Sequence, residues 1–313
     1  MAGGLLMRNT AVLAKIETTY GTDAVPTGVA NAVLVSDVRA RPMDMQTVDR
    51  ALIRPYLGNS EQLPTVIYNG VEFSVELAGS GTAGTAPAIG PLLRACGMAE
   101  TITASTKVEY KPVSSAFESL TLYVNIDGVL HKSTGARGTV ALSLKNNDRP
   151  MARFNFTGLF VAVADSALPA VTLTAWKKPL PCNRTNTPTF TLHAYAGMLD
   201  DLQIDLGNQV EYRSLIGGSE FVRIVDRKPA GNVLMEAVKV ADKNWWTTIQ
   251  AATTGALALI HGTTAGNIVG VDAPNVQLYN PTYQDQNGTL MLAAQLALTP
   301  GASGNDELVL TFR

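Results

Sequence analysis

The chain has 313 residues, 46% of them apolar and 16% charged, with 24 Lys and Arg against 26 Asp and Glu. That length favours two domains, each large enough to bury its own core, and so low a charged fraction suggests that much of the surface meets other protein. The net charge of -2 is too balanced for a protein that grips nucleic acid by neutralising phosphates.

Cys96 and Cys182 lie far apart with no CxxC spacing, so neither a disulfide framework nor a zinc site rests on them alone; both are expected as buried, reduced thiols. The opening stretch MAGGLLMRNT has too short an apolar run for a secretory leader, and no window approaches the ~18 uninterrupted apolar residues that span a membrane. The expectation is a soluble protein that folds in the cytoplasm.

In chain order, the segment through Asn31, with Gly21, Pro26 and Gly28, reads as an extended N-terminal arm (1–30), followed by a first domain over 31–165. Most of the chain alternates apolar and polar residues in short runs rich in Val, Thr, Leu and Phe, bounded by Gly, Pro, Asn and Asp, which is the signature of β-strands. In one such run Val71, Phe73, Val75 and Leu77 share a face while Glu72, Ser74 and Glu76 share the other. Gly79-Ser80-Gly81-Thr82-Ala83-Gly84 matches GxGxxG, but the strand before it alternates and the helix after it is short and carries Pro91. It therefore reads as a flexible loop and not as a dinucleotide site. That helix is predicted over Ala88–Cys96, with Pro87 at its first position and Gly97 as its stop. Leu120–Ile126 and Val129–Lys132 flank Asp127-Gly128, which suits a type I′ turn. Thr139–Lys145 and Met151–Thr157 flank a second turn cluster at Asn146–Arg149.

Residues 166–188, with Pro169, Pro179, Pro181 and Pro188, read as the connection to a second domain over 189–313. There Asp242 is expected to cap a second short helix over Lys243–Thr253. It carries Trp245 and Trp246, one ring expected to anchor the helix to the sheet and the other to enter a subunit contact. Divided at Leu180, the chain has 16 basic against 14 acidic residues before and 8 against 12 after, so the C-terminal half is the acidic one. His131, His193 and His261 share no ligand spacing, and neither a GxSxG elbow nor a phosphate-loop lysine occurs. The reading is not an enzyme, with no catalytic, cofactor or metal residues assigned.

The halves resemble each other. Asp37-Val38-Arg39-Ala40-Arg41, then Val48-Asp49 and Leu52-Ile53, matches Asp201-Leu202-Gln203-Ile204-Asp205, then Val210-Glu211 and Leu215-Ile216. Gly70–Leu77 matches Gly231–Ala237, pairing Glu76 with Glu236, and a short helix and a turn-separated strand set follow each. The preserved order argues for an internal duplication.

Thr19-Tyr20-Gly21-Thr22, Val48-Asp49-Arg50, Arg54-Pro55-Tyr56-Leu57-Gly58, Glu76–Gly81, Pro91–Gly97 and Asp127–His131 together resemble the major tail tube proteins of long, non-contractile-tailed phages, most clearly over residues 15 to 165. The resemblance implies two tandem tail-tube-like β-sandwich or partial-barrel domains, each with one short α-helix. It also implies a homotrimer that builds a ring-shaped β-barrel with pseudo-sixfold symmetry. Rings would stack through the long loop Pro42–Asn69, whose candidate contacts are Arg54, Pro55, Tyr56, Leu57, Asn59 and Glu61; the second copy of this loop would be Gly207–Pro229. Implied partners are other copies of the chain, the tape measure protein, the tail terminator and tip proteins, and double-stranded DNA in transient passage, with no membrane insertion. Assembly would take place in the host cytoplasm, and the product would be the tail of the virion.

Geometry supports the doubled form: about 12 strands at ~4.8 Å spacing and ~40° tilt close a barrel roughly 24 Å across, whereas about 24 strands give roughly 48 Å, room for a duplex about 20 Å wide. A lumen for DNA should repel phosphate weakly, and Glu72, Glu76, Asp201, Asp205 and Glu236 are the candidate lining, against the alternative that they decorate solvated or interface faces. The competing functional readings are a receptor-binding or decoration β-sandwich, which would form discrete oligomers, and an oxidoreductase built on the glycine-rich loop, which would bind nicotinamide.

Overall fold

A computed structural model describes residues 4–313, and it is mainly β, with 51% of residues in strands and 5% in three short helices. The first half runs β1 (Thr10–Ile16), α1 (Gly28–Asn31), β2 (Ala32–Val33), β3 (Ser36–Asp49), β4 (Gln62–Glu76), α2 (Gly90–Ala95), β5 (Met98–Thr103), β6 (Lys107–Pro112), β7 (Leu120–Ile126), β8 (Val129–Lys145), β9 (Met151–Phe160) and β10 (Ala164–Asp165). The second runs β11 (Thr189–Leu192), β12 (Leu199–Asp205), β13 (Asn208–Arg213), β14 (Phe221–Arg227), β15 (Ala230–Glu236), α3 (Trp245–Gln250), β16 (Thr254–His261), β17 (Val269–Gln286), β18 (Thr289–Thr299) and β19 (Val309–Phe312).

Antiparallel pairing joins the first half in the order β3-β4-β9-β8-β7-β1. The second half is joined in the order β12-β15-β18-β17-β16-β11. In both, the short helix falls between the second strand of this order and the fifth. In both, a last strand returns to the start of the long fourth one, β10 on β8 and β19 on β17. The departures are local. The β5–β6 hairpin is present only in the first half, and through β6 it pairs with β19 of the second.

The long strands turn a corner. Residues 129–136 of β8 pair with β7, while Ala141–Lys145 pair with β12, and the register shifts between Thr134 and Arg137, where Gly135 has φ +57°. β17 does the same, with a shift between Tyr279 and Thr282. Bulges of this kind let one strand serve two packed sheets. The result is one row, β3-β4-β9-β8-β12-β15-β18-β17, flanked by the shorter strands.

The alternation in β4 explains why that row has one dry face. Val71, Phe73 and Val75 are buried, with Glu72, Ser74 and Glu76 turned the other way. Phe73, Phe154 and Phe156 cluster at 5.7 to 5.9 Å between ring centroids, each worth about 1.5–3 kcal/mol as buried apolar surface. They pack with Leu92 and Leu93 of α2 and Leu120, Leu122 and Val124 of β7 in a core that continues into the second half.

Several expectations need correction. The segment expected as an extended arm contains β1, which pairs along its whole length with β7 and carries buried Ala11, Val12, Leu13 and Ala14; residues 1–3 lie outside the described residues. A third helix, α1, precedes β2. Pro42–Asn69 is not a loop, because β3 and β4 extend far into it and leave only residues 50–61 as a tip. Gly207–Pro229 likewise folds as the β13–β14 hairpin. In α2, Pro91 and not Pro87 occupies the first turn, where its missing N–H leaves no helical bond unmade. In α3 the cap is Asn244, whose Oδ1 accepts from the Thr247 N–H at 3.1 Å, and not Asp242.

Candidate functional site

Strand register brings Glu72, Glu76, Asp201, Asp205 and Glu236 onto the polar face of the row. Glu72 stands opposite Asn155 and Asn155 opposite Thr139, whose hydroxyl donates to Asp205 at 3.2 Å. Asp201 stands between Lys145 and Leu234, two residues before Glu236. The face is mixed in charge. Glu72 pairs with Arg153, Glu76 with Arg149 at 2.8 Å, and Arg39 lies opposite Glu72 on β3. Burial pushes the Asp201 carboxyl above the usual carboxylate range, against the pull of the Gln203 amide and the Lys145 ammonium.

Arg54, Pro55, Tyr56, Leu57, Asn59 and Glu61 all sit at the β3–β4 tip. Arg50 and Arg54 converge on Glu61, and Ile53 and Leu57 are as exposed as in an extended chain. The β13–β14 tip repeats the pattern with a fully exposed Ile216. Trp245 is buried with its ring edge-on to Tyr195 and His193, whereas Trp246 is partly exposed beside Tyr283 at 5.6 Å.

Residues to which the sequence reading assigned no site join the halves. Glu17 is buried and accepts from Ser119, Thr121 and the N–H groups of Gly21 and Gly135 at 2.7 to 2.9 Å, fixing the Tyr20-Gly21 turn. The Tyr20 ring then lies under the Arg137 guanidinium at 4.9 Å, and its hydroxyl accepts from the Val222 N–H at 2.5 Å. Arg137 donates onward to the carbonyls of Phe117 and Val222, Asn208 donates to those of Cys96 and Gly138, and Tyr212 stacks on Tyr68 at 5.2 Å. The only sequence signal for this cluster was Tyr20-Gly21 itself. The glycine-rich loop has a related role. Gly81 N–H donates to Gly266 O at 2.9 Å, and a Cβ on Gly79 would sit 2.1 Å from the same oxygen. Close approach of two backbones, not phosphate binding, accounts for that glycine.

Both cysteines are free and buried; burial raises the Cys96 thiol well above its ordinary value and pushes Cys182 up to about 11. Among the described residues no group of three or more His, Cys, Asp or Glu is placed to hold a metal ion, and no helix is long and apolar enough to cross a membrane. A depression of about 750 Å³ is open and lined by residues around β14, among them Phe117, Ile224 and Arg227.

These features define a mainly-β protein whose prominent surfaces are open strand edges and projecting hairpins. No curated protein sequence matches the chain. A family model described as phage tail tube protein matches residues 7–304, nearly the whole chain, and the chain belongs to that family. It is a structural subunit of a phage tail tube, and membership implies self-assembly into a tube, a place in the tail of the virion and a role that is not enzymatic.

Proposed function

We propose that the chain is the tube subunit of a long, non-contractile tail, and that three copies close into a ring that stacks into a conduit for double-stranded DNA during ejection. The observation that carries this reading is the unbroken antiparallel row with the same strand order in each half. It supports an internal duplication, with one tail-tube domain before and one after residues 166–188. Each half gives four strands to the row, so three chains supply about 24, the number whose circumference admits a duplex.

The polar face would line the lumen. Its carboxylates are interleaved with Arg149, Arg153 and Lys145, so DNA would meet neither a strongly attractive nor a strongly repulsive wall, as passage requires. The exposed tips around Ile53 and Ile216 would reach the adjoining ring, and the ends of the tube would meet the tape measure, terminator and tip proteins. Electron microscopy of the purified protein tests the reading. Hollow tubes or rings with an axial hole, and three chains per ring by native mass spectrometry, are expected; discrete particles without a hole would overturn it.

A further inference from the structure

Within the row, the halves are joined by one strand pair. β8 and β12 meet antiparallel with Asp201 opposite Lys145, Leu202 opposite Leu144, Gln203 opposite Ser143, Ile204 opposite Leu142 and Asp205 opposite Ala141. The corresponding edges at the two ends of the row are open. Among the described residues β3 pairs only with β4, and residues 282–286 of β17 pair only with β18.

Register fixes which residues correspond. Glu76 stands opposite Met151, and Glu236 opposite Met291. Across from those methionines are Ser143 and Gln284, so Leu142 corresponds to Tyr283 and Ala141 to Thr282. On the other edge Glu72 faces Arg39 and Asn232 faces Gln203; one residue on, Val71 faces Ala40 and Gly231 faces Ile204. Arg39, Ala40 and Arg41 therefore stand where Gln203, Ile204 and Asp205 stand at the seam.

We propose that the β3 edge of one chain pairs antiparallel with the β17 edge of a second copy in the register of the internal seam: Arg39 opposite Gln284, Ala40 opposite Tyr283, Arg41 opposite Thr282. Two further observations support the second copy as occupant. Leu202 and Ile204 at the seam are 0% and 1% exposed, whereas Val38 and Ala40 on β3 are only half-buried. Leu142 at the seam is 1% exposed, whereas Tyr283 is 53% exposed and Trp246, packed edge-on to it, is 40% exposed. The open edges thus carry apolar groups that the seam buries, and an unpaired edge is a template for another strand. Two such edges on one molecule, related as the seam is, add copies head to tail, which closes a ring when the rotation permits.

The pairing rests on the tube-subunit reading, and cross-linking separates the two. In the full chain, Ala40→Cys with Tyr283→Cys is the matched pair, and Ala40→Cys with Asp285→Cys is the same strand shifted by two residues. Opposed residues lie within disulfide reach, while the diagonal neighbour is about 7–8 Å away. Oxidation of assembled protein should give a reducible dimer and trimer ladder with the matched pair and at least tenfold less with the shifted one. Arg39→Cys with Gln284→Cys, on the opposite face, reads the same register if loss of the Tyr283 ring weakens assembly. Rings that form but cross-link through neither matched pair, or preferentially through the shifted one, overturn the register and leave the tube reading standing. A wild-type chain that stays monomeric overturns both.

Discussion

The hairpins β3–β4 and β13–β14 occupy the same place in the two halves and have opposite surroundings. β13–β14 lies against the first half, held by Tyr212 on Tyr68, by Asn208 on the Cys96 and Gly138 carbonyls, and by Tyr20 and Arg137 at Val222. The outer part of β3–β4 touches nothing comparable, and Met43, Met45, Val48 and Leu63 are exposed along it. Among the described residues the second hairpin has the first half beside it, and the outer part of the first hairpin has no such neighbour. What differs is the neighbour, so exposure of β3–β4 describes a single chain and not a property of the hairpin.

The strongest way to break this contrast is at the base of the docked hairpin. Arg227 donates to Glu307 at 2.5 Å, to the Val113 carbonyl at 2.8 Å and to Asn305 at 3.2 Å, and the ion pair is nearly dry. Arg227→Ala leaves the Glu307 carboxylate buried without a counter-charge and should cost about 3–5 kcal/mol, read as a lowered urea midpoint. The matched cut at the free hairpin, Glu61→Ala, removes only exposed ion pairs to Arg50 and Arg54. It should change stability by less than about 1 kcal/mol.

The same contrast explains what could be read from the residues. β4 was legible from Val71 to Glu76 because that segment has a wet and a dry face, and the β7–β8 turn was legible because Asp127 and Gly128 both take positive φ, 49° and 99°. The outer parts of β3 and β4 were not, since a hairpin with both faces in solvent has no alternation to imprint, and the loop Pro42–Asn69 rested on the family resemblance alone. β1 failed for the converse reason: Ala11-Val12-Leu13-Ala14 is buried on both faces and shows no period of two. The match of Asp37–Arg41 with Asp201–Asp205 falls on β3 and β12, which hold the same place in their halves. Register places the five acids on one face; Arg149, Arg153 and Lys145 beside them were missed, because their proximity comes from strand order and not from sequence distance. Glu17, Arg137 and Asn208 were invisible for the same reason.

A milder test sits at Tyr20. Its hydroxyl accepts from the Val222 N–H, and its ring supports the Arg137 guanidinium. Tyr20→Phe keeps the ring and removes the acceptor, leaving a backbone N–H of the docked hairpin unpaired, at a cost of about 1–3 kcal/mol. Hydrogen exchange at Val222 should accelerate while amides in β4 keep their protection, which would show that the hairpin loosens from the first half without unfolding it.

The smallest change in the folded chain should come from the tips, and it sharpens the comparison most. Ile53 and Ile216 are 103% and 109% exposed, one on each hairpin, so neither has an apolar contact to lose. Ile53→Ser and Ile216→Ser should each leave the urea midpoint of the unassembled chain within about 0.5 kcal/mol of the parent. On the proposed stacking, two apolar tips with no intrachain partner would gain burial from another copy, and burying an isoleucine side chain is worth about 1.5–3 kcal/mol. Each substitution should therefore raise the critical concentration for tube growth by at least about tenfold, measured by sedimentation of polymer. If only Ile53→Ser does so, the docked hairpin is confined to holding the two halves together, and stacking belongs to the free hairpin alone.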